Sequence, residues 1–146
     1  MFVEYLNSSI NIVKLGGIKI ISNLSKVDSK NKFDKIFDTF YSFISDPEMT
    51  TAANVSKGSS IIAKAKSHLT ENITNQLLKV SNIKYKTEEC KNILIGHVIV
   101  SFDKMFKQLK DKSTVIEFVE NNMNNPRKGT KNKAGKFLKK YRNTTA

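Results

Sequence analysis

One motif recurs four times along this chain and constrains what it can fold into. Gly17 precedes Ile20-Ile21, Gly58 precedes Ile61-Ile62, Gly96 precedes Ile99-Val100, and Ala134 precedes Phe137-Leu138. Each copy is a small residue, two spacers and two bulky apolar residues, and the small residues lie 41, 38 and 38 positions apart. A period near forty residues belongs to helical arrays in which each unit is one helix pair. The small residue has a physical reason. Where stacked helices cross closely, a large side chain holds the backbones apart, whereas Gly or Ala lets the axes approach. A helix-interior Gly costs about 0.5–1 kcal/mol against Ala, a cost that close packing can offset.

The second helix of each pair carries the motif. Residues 9–25 place Ile10, Val13, Leu15, Gly17, Ile20, Ile21 and Leu24 at mixed three- and four-residue spacing, the pattern of a buried helical face. Asp46-Pro47 predicts the next start, with Asp as N-cap and Pro at the first helical position, and that helix runs to 67. The third spans 87–109, opened by Thr87 with Glu88 and Glu89 in the first turn, where acids suit the helix dipole. The fourth opens at Asn125-Pro126 and runs to 141. First helices fill the gaps from 28 or 29 to 44, from 68 or 70 to about 80 and from 111 to 123, each amphipathic, joined by short polar segments. The expected fold is all-α: a right-handed α-α superhelix of about seven helices, in one domain over 1–146, with a basic last helix at 126–142. Gly17, Gly58, Gly96 and Ala134 should sit at helix crossings.

Helix pairs of this length, with Asp-Pro or Asn-Pro opening the second helix, resemble HEAT and armadillo-type repeats. The segment from Asn125-Pro126-Arg127 to Ala134, Phe137 and Leu138 is especially similar to a HEAT second helix. The resemblance covers most of the chain and implies a scaffold for binding, not an activity. It departs at the start, where the first helix is reduced to residues 2–6. This predicts an incompletely covered apolar face over 10–24, and with it a homo-oligomer contact there or a longer natural array. DNA-alkylation-repair glycosylases also use HEAT-like repeats and are basic, but that family's DNA-gripping aromatics include Trp, and this chain has none.

The formal net charge is +12, and its placement is uneven. From Pro126 onward there are eight basic residues and no acid, the last acid being Glu120. The chain has 23 Lys against two Arg, alongside many Asn and Ile, a skew of A/T-rich coding that accounts for part of the lysine. With Ala134, Phe137, Leu138 and Tyr141 inward, Lys128, Lys136, Lys139 and Lys140 point outward, with Lys133 to one side. That ridge could lie along phosphates. The favoured reading of the ridge is the bland one, the polar cap that a terminal repeat needs.

The apolar stretch at 93–100 is interrupted by Gly96 and His97 and is too short to span a bilayer. The N-terminus has no basic n-region or continuous apolar run, and Cys90 is the single cysteine, so a cytoplasmic protein is expected. Five Asn-x-Ser/Thr triplets, at Asn7, Asn23, Asn54, Asn72 and Asn143, follow from the Asn- and Ser-rich composition.

Chemistry-bearing patterns are sparse. His68 and His97 lie far apart in sequence, no Cys/His cluster has zinc spacing, and Gly16-Gly17 follows no strand, so it is no phosphate cradle. His97 reads as a packed core histidine, Cys90 as a small helix residue near the core, and Glu88-Glu89 and Glu117/Glu120 as solvated acids. No catalytic residue, metal ligand or cofactor is expected, and the chain reads as non-enzymatic. Two functions then compete. The first is a scaffold or adaptor module that binds a protein partner along a solenoid groove. The alternative is non-specific nucleic-acid binding through Lys128, Lys133, Lys136, Lys139 and Lys140. The charge of the groove decides between them: continuous and basic favours nucleic acid, apolar or mixed favours protein.

Overall fold

The computed structural model describes residues 2–143. Seven α-helices are found among them: α1 (Asn11–Leu24), α2 (Lys32–Ser42), α3 (Met49–Ala65), α4 (Thr70–Leu78), α5 (Glu88–Lys104), α6 (Lys112–Asn121) and α7 (Lys128–Tyr141). Short 3-10 turns join them, a further 3-10 turn spans Phe2–Asn7, and no strand occurs among the described residues. The odd-numbered helices form a row in which α1 packs on α3, α3 on α5 and α5 on α7. Among the even helices, α4 packs on α3 and α6 on α7. The Phe2–Asn7 turn packs on α1 in place of a full first helix.

Gly58 and Gly96 lie at crossings of this row, Gly17 lies against the Phe2–Asn7 turn, and Ala134 is buried on α7. All four are buried. A Cβ on Gly58 would run into the Ser22 hydroxyl of α1. One on Gly96 would stand 2.9 Å from Oγ1 of Thr130 in α7, and one on Gly17 would stand 2.8 Å from Cβ of Tyr5. The bulky pairs behave less uniformly than the sequence predicts. Ile21, Ile62, Ile99, Phe137 and Leu138 are buried, but Ile61 and Val100 are half-buried and Ile20 is exposed. In the first three copies only one residue of each pair enters the core, because adjacent positions on a helix point about 100° apart.

Bare backbone at the crossings is used for hydrogen bonds between helices. Thr130 Oγ1 donates to the Asn92 carbonyl at 2.6 Å, joining α7 to α5. The Ser101 hydroxyl donates to the Ser56 carbonyl, joining α5 to α3. Ser22 is buried and returns its hydroxyl to the Ile18 carbonyl. Each bond satisfies a buried hydroxyl that would otherwise cost about 1–3 kcal/mol. Beneath the row, Phe33, Phe37, Phe40 and Tyr41 of α2 pack largely edge-to-face. Tyr41 meets Ser59 at 2.9 Å, and the Tyr85 hydroxyl donates to the Ile44 carbonyl at 2.6 Å.

The helix entries correct part of the sequence reading. Asp46 and Asn125 are not N-caps, and Pro47 and Pro126 are not the first helical residues. Asp46 Oδ1 accepts from the Glu48 N–H at 2.8 Å, and Asn125 Oδ1 from the Arg127 N–H at 2.9 Å. These are Asx turns that set the approach, with Pro fixing φ inside the turn. The helices then start from Glu48 and Arg127, which cap without a side-chain bond. Thr87 and Asp111 do cap, accepting from the N–H groups of Cys90 and Thr114. Asp28 acts from further out, accepting from the N–H groups of Lys32 and Phe33 across Asn31, which sits at φ 51. So α2 begins at Lys32 rather than 28. At the other end α5 stops at Lys104 rather than 109, because Phe106–Gln108 tightens to 3-10.

One buried charge network was invisible in the sequence. Lys66, at the end of α3, is only 3% exposed. Its ammonium pairs with Asp28 at 3.1 Å and Asp34 at 3.3 Å and donates to Asn31 Oδ1 at 2.7 Å. Asp34 also holds His68 at 2.6 Å. The network ties the α3 terminus to the entry of α2.

Candidate nucleic-acid interface

The exposed side of the odd-numbered row carries the charge that matters. On α3, Lys57 immediately precedes Gly58 and Lys64 lies two turns further on. On α7, Lys133 holds the matching position before Ala134. The bare backbone of Gly96 gives Lys133 its course. Its Cδ and Nζ both lie 3.4 Å from where a Gly96 Cβ would be, so the chain runs over α5 beside His97.

His97 is half-buried, and its ring hydrogen-bonds no protein group among the described residues. This corrects the expectation of a packed core histidine. Burial, then Lys57, Lys133 and Arg127, push its pKa down to about 4. Burial, then Arg127 and Lys57, hold the Lys133 ammonium below its ordinary value. Three basic side chains from α3, from the turn before α7 and from α7 therefore converge on one imidazole of α5. Burial is the larger cause of both shifts, with the like charges adding to it, and perturbed groups of this kind cluster at functional sites.

Beside this cluster lies an open cavity of about 570 Å³ lined by Lys26, Lys57, Ser60, Ile61, Lys64, Ala65 and Lys104. Four of its residues are lysines and none is acidic. Lys57 belongs to both groups, so cluster and cavity form one face across α3, α5 and α7. Lys26, Lys57, Lys64, Lys104 and Lys133 make no ion pair among the described residues. Arg127 is paired with Glu89, which is therefore not simply solvated.

The ridge predicted on α7 is divided by the fold. Lys128, Lys136 and Lys139 are exposed and make no ion pair among the described residues. Lys140 is not free: it pairs with Asp103 of α5 at 3.0 Å, and Asp103 Oδ1 also accepts from the Tyr141 hydroxyl at 2.6 Å. Lys133, placed to one side of that ridge by the sequence, instead joins Lys57 at His97. Sequence reasoning missed Lys26, Lys57, Lys64 and Lys104. The legible signal was register: Lys57 and Lys64 stand to Gly58 as Lys133 and Lys140 stand to Ala134.

A second surface of opposite character lies at the first helix. The large hydrophobic residues exposed among those described are Tyr5, Ile10, Ile12, Ile20, Leu24 and Val27. The Phe2–Asn7 turn buries Leu6 but leaves the outer side of α1 open. A cavity of about 350 Å³ near there is walled by Val3, Ile21, Leu24, Val27, Phe33 and Ile36, with Asp28, Lys30 and Lys32 at hand.

No helix is long and apolar enough to cross a membrane, and no three of His, Cys, Asp and Glu gather as a metal site, among the described residues. Comparison with protein-family models, with curated proteins and with solved structures gave no match.

Proposed function

We propose that this chain is a non-enzymatic helical-repeat module, HEAT-like in its pairing of helices and built as a right-handed superhelix, that binds nucleic acid along its phosphate backbone. The observation that carries this reading is the basic face formed by α3, α5, α7 and the turn after α1, where Lys26, Lys57, Lys64, Lys104 and Lys133 make no ion pair among the described residues. It reverses the order of the two functions weighed on sequence and moves the alternative from the α7 ridge to the whole row. Phosphate contacts of this kind position a protein without reading bases. Among the described residues Tyr5 is the one aromatic of the exposed large hydrophobics and lies at the far end, so no exposed aromatic of theirs stands on this face to stack a base. A duplex is thus the better ligand. Work inside the cytoplasm fits the single cysteine.

The experiment is a salt titration of a labelled duplex, read by fluorescence anisotropy. Each neutralised phosphate contributes about −0.9 to the log–log slope. Lys57→Gln, Lys64→Gln and Lys104→Gln together should cut the slope by about 2.7 and weaken binding at low salt, while leaving the fold unchanged. Lys128→Gln with Lys139→Gln should matter much less. Equal slopes for wild type and the triple variant, or no binding at low salt, would sink the reading.

The second reading, a protein partner, is favoured by one observation only. Ile12, Ile20 and Leu24 are exposed along one i, i+4 line of α1 that runs through half-buried Gly16, and a Cβ on Gly16 would meet nothing within 4 Å. An amphipathic helix of a partner could cross there as α1 crosses α3. Sedimentation velocity distinguishes that occupant from a second copy: a homodimer abolished by Ile20→Ser and Leu24→Ser replaces a foreign helix with self-association.

A further inference from the structure

We infer that His97, Lys57 and Lys133 form a seat for one phosphate group, and that filling it draws one proton from solvent onto the His97 imidazole. The inference rests on the polyanion reading and assigns it a place and a proton count.

The geometry has three parts. First, Gly96 removes the side chain that would hold Lys133 away, so the lysine stem lies against α5 and its ammonium stays beside the next residue, His97. Second, the half-buried imidazole makes no hydrogen bond among the described residues, so neither ring nitrogen is committed to a partner there. Third, the charged groups facing it are of one sign: Lys57 from α3, Lys133 from α7 and Arg127 from the turn before α7. On α5 itself the nearest acid in register is Glu89, two turns back, and Arg127 already holds it.

Charge balance gives the proton. In the free protein, burial and three neighbouring cations keep the imidazole neutral down to a pH of about 4. A phosphate between the two ammonium groups cancels the repulsion and offers oxygens to a ring N–H. The neutral ring can donate from one nitrogen only, whereas the imidazolium donates from both. The bound state therefore favours the protonated ring, and affinity must rise as pH falls. If a duplex raises the His97 value from about 4 to about 6, linkage tightens binding about tenfold at pH 5 and leaves it unchanged at pH 7.5.

The test uses the full chain and a labelled DNA duplex at fixed ionic strength. Anisotropy titrations at pH 5 and pH 7.5 are run on wild type and His97→Gln. In parallel, the imidazole NMR signals are titrated with and without duplex, and the signal that vanishes in His97→Gln is assigned to His97. The expected result is about tenfold tighter binding at pH 5 that depends on His97, with the His97 titration moved upward by the duplex. Binding with the usual salt dependence but an unmoved His97 titration overturns this inference and leaves the basic face standing. No binding at either pH removes both. Calorimetry in two buffers of different ionisation enthalpy gives an independent count, expected to approach one proton taken up at pH 5 and zero at pH 7.5.

Discussion

Gly58→Ala should destabilise the protein even though Ala is the better helix former. Relieving the glycine backbone gains about 0.5–1 kcal/mol in a helix interior. Against that, the new Cβ meets the Ser22 hydroxyl at less than contact distance and Ser22 Cβ at 3.0 Å. Ser22 cannot swing away. It is 2% exposed, and its hydroxyl is bound back to the Ile18 carbonyl at 2.8 Å. The helices must separate, or Ser22 must leave its rotamer and its bond; overpacking of this kind costs about 1–3 kcal/mol. The net expectation is a loss of about 1–2 kcal/mol. Gly16→Ala is the matched control. No atom lies within 4 Å of its Cβ, so it should gain about 0.5–1 kcal/mol. Urea unfolding followed by circular dichroism reads both as shifts in midpoint at constant slope. Ser22→Gly in the Gly58→Ala background should recover part of the loss, giving a coupling of about 1 kcal/mol in the double-mutant cycle. A Gly58→Ala midpoint that rises as far as that of Gly16→Ala refutes the close crossing and the reason given for the motif.

Two further outcomes concern buried charge. Lys66→Met should cost about 2–3 kcal/mol, below the 3–5 usual for a broken buried pair, because Asp28 keeps two backbone N–H donors and Asp34 keeps His68; thermal or urea unfolding measures it. Acid should unfold the protein in two stages with distinct causes. Burial lowers the His97 value, so the unfolded chain takes a proton below about pH 6.5 that the folded chain refuses until about 4, and stability falls across that window. His97→Gln should flatten it. Burial raises the Asp28 carboxyl, but the N–H groups of Phe33 and Lys32 and the Lys66 ammonium outweigh this and leave it below its ordinary value. Its contribution is present at neutral pH and is lost only as pH falls below the ordinary Asp range. Urea midpoints of wild type and His97→Gln between pH 7 and pH 3 check both signs.

Periodicity made the helices and the crossings legible, because a three- and four-residue pattern and a forty-residue repeat are properties of spacing alone. Gly17, Gly58, Gly96 and Ala134 are all buried; Gly58 and Gly96 lie at the crossings that the spacing predicts, whereas Gly17 meets the Phe2–Asn7 turn. Helix ends were less legible, since Asp46-Pro47 can cap a helix or turn before one, and only the path of the chain decides. The binding face was least legible. Lys57, Lys64 and Lys104 are spread over nearly fifty residues and converge only when α3 lies on α5. The dense basic run after Pro126 drew attention instead, yet in the fold Lys140 is neutralised by Asp103 and Arg142 stands 3.6 Å from Glu120. His97 was read as core because it follows Gly96 in the helix expected to be most buried. Its position beside Lys133 depends on α7.

Collecting unpaired cations on one face sets stability against binding, and the two can be separated at Lys57. That residue adjoins His97 and Lys133 and also lines the lysine cavity. Replacing it with Gln removes repulsion from both sides, so the free protein should melt higher, by about 1–3 °C if the gain is that of one surface charge contact. The same change removes a phosphate partner, so the ligand-bound protein should gain less. Any anion that binds only the folded state raises the melting temperature through RT ln(1 + [L]/Kd). With tripolyphosphate as probe, wild type should rise with concentration, and Lys57→Gln should start higher and rise less, so that the curves cross. A structural role for Lys57 predicts the reverse order at zero ligand, and a merely solvating role predicts parallel curves. Crossing is the signature of a face kept cationic for what it binds, at a cost to the fold that carries it.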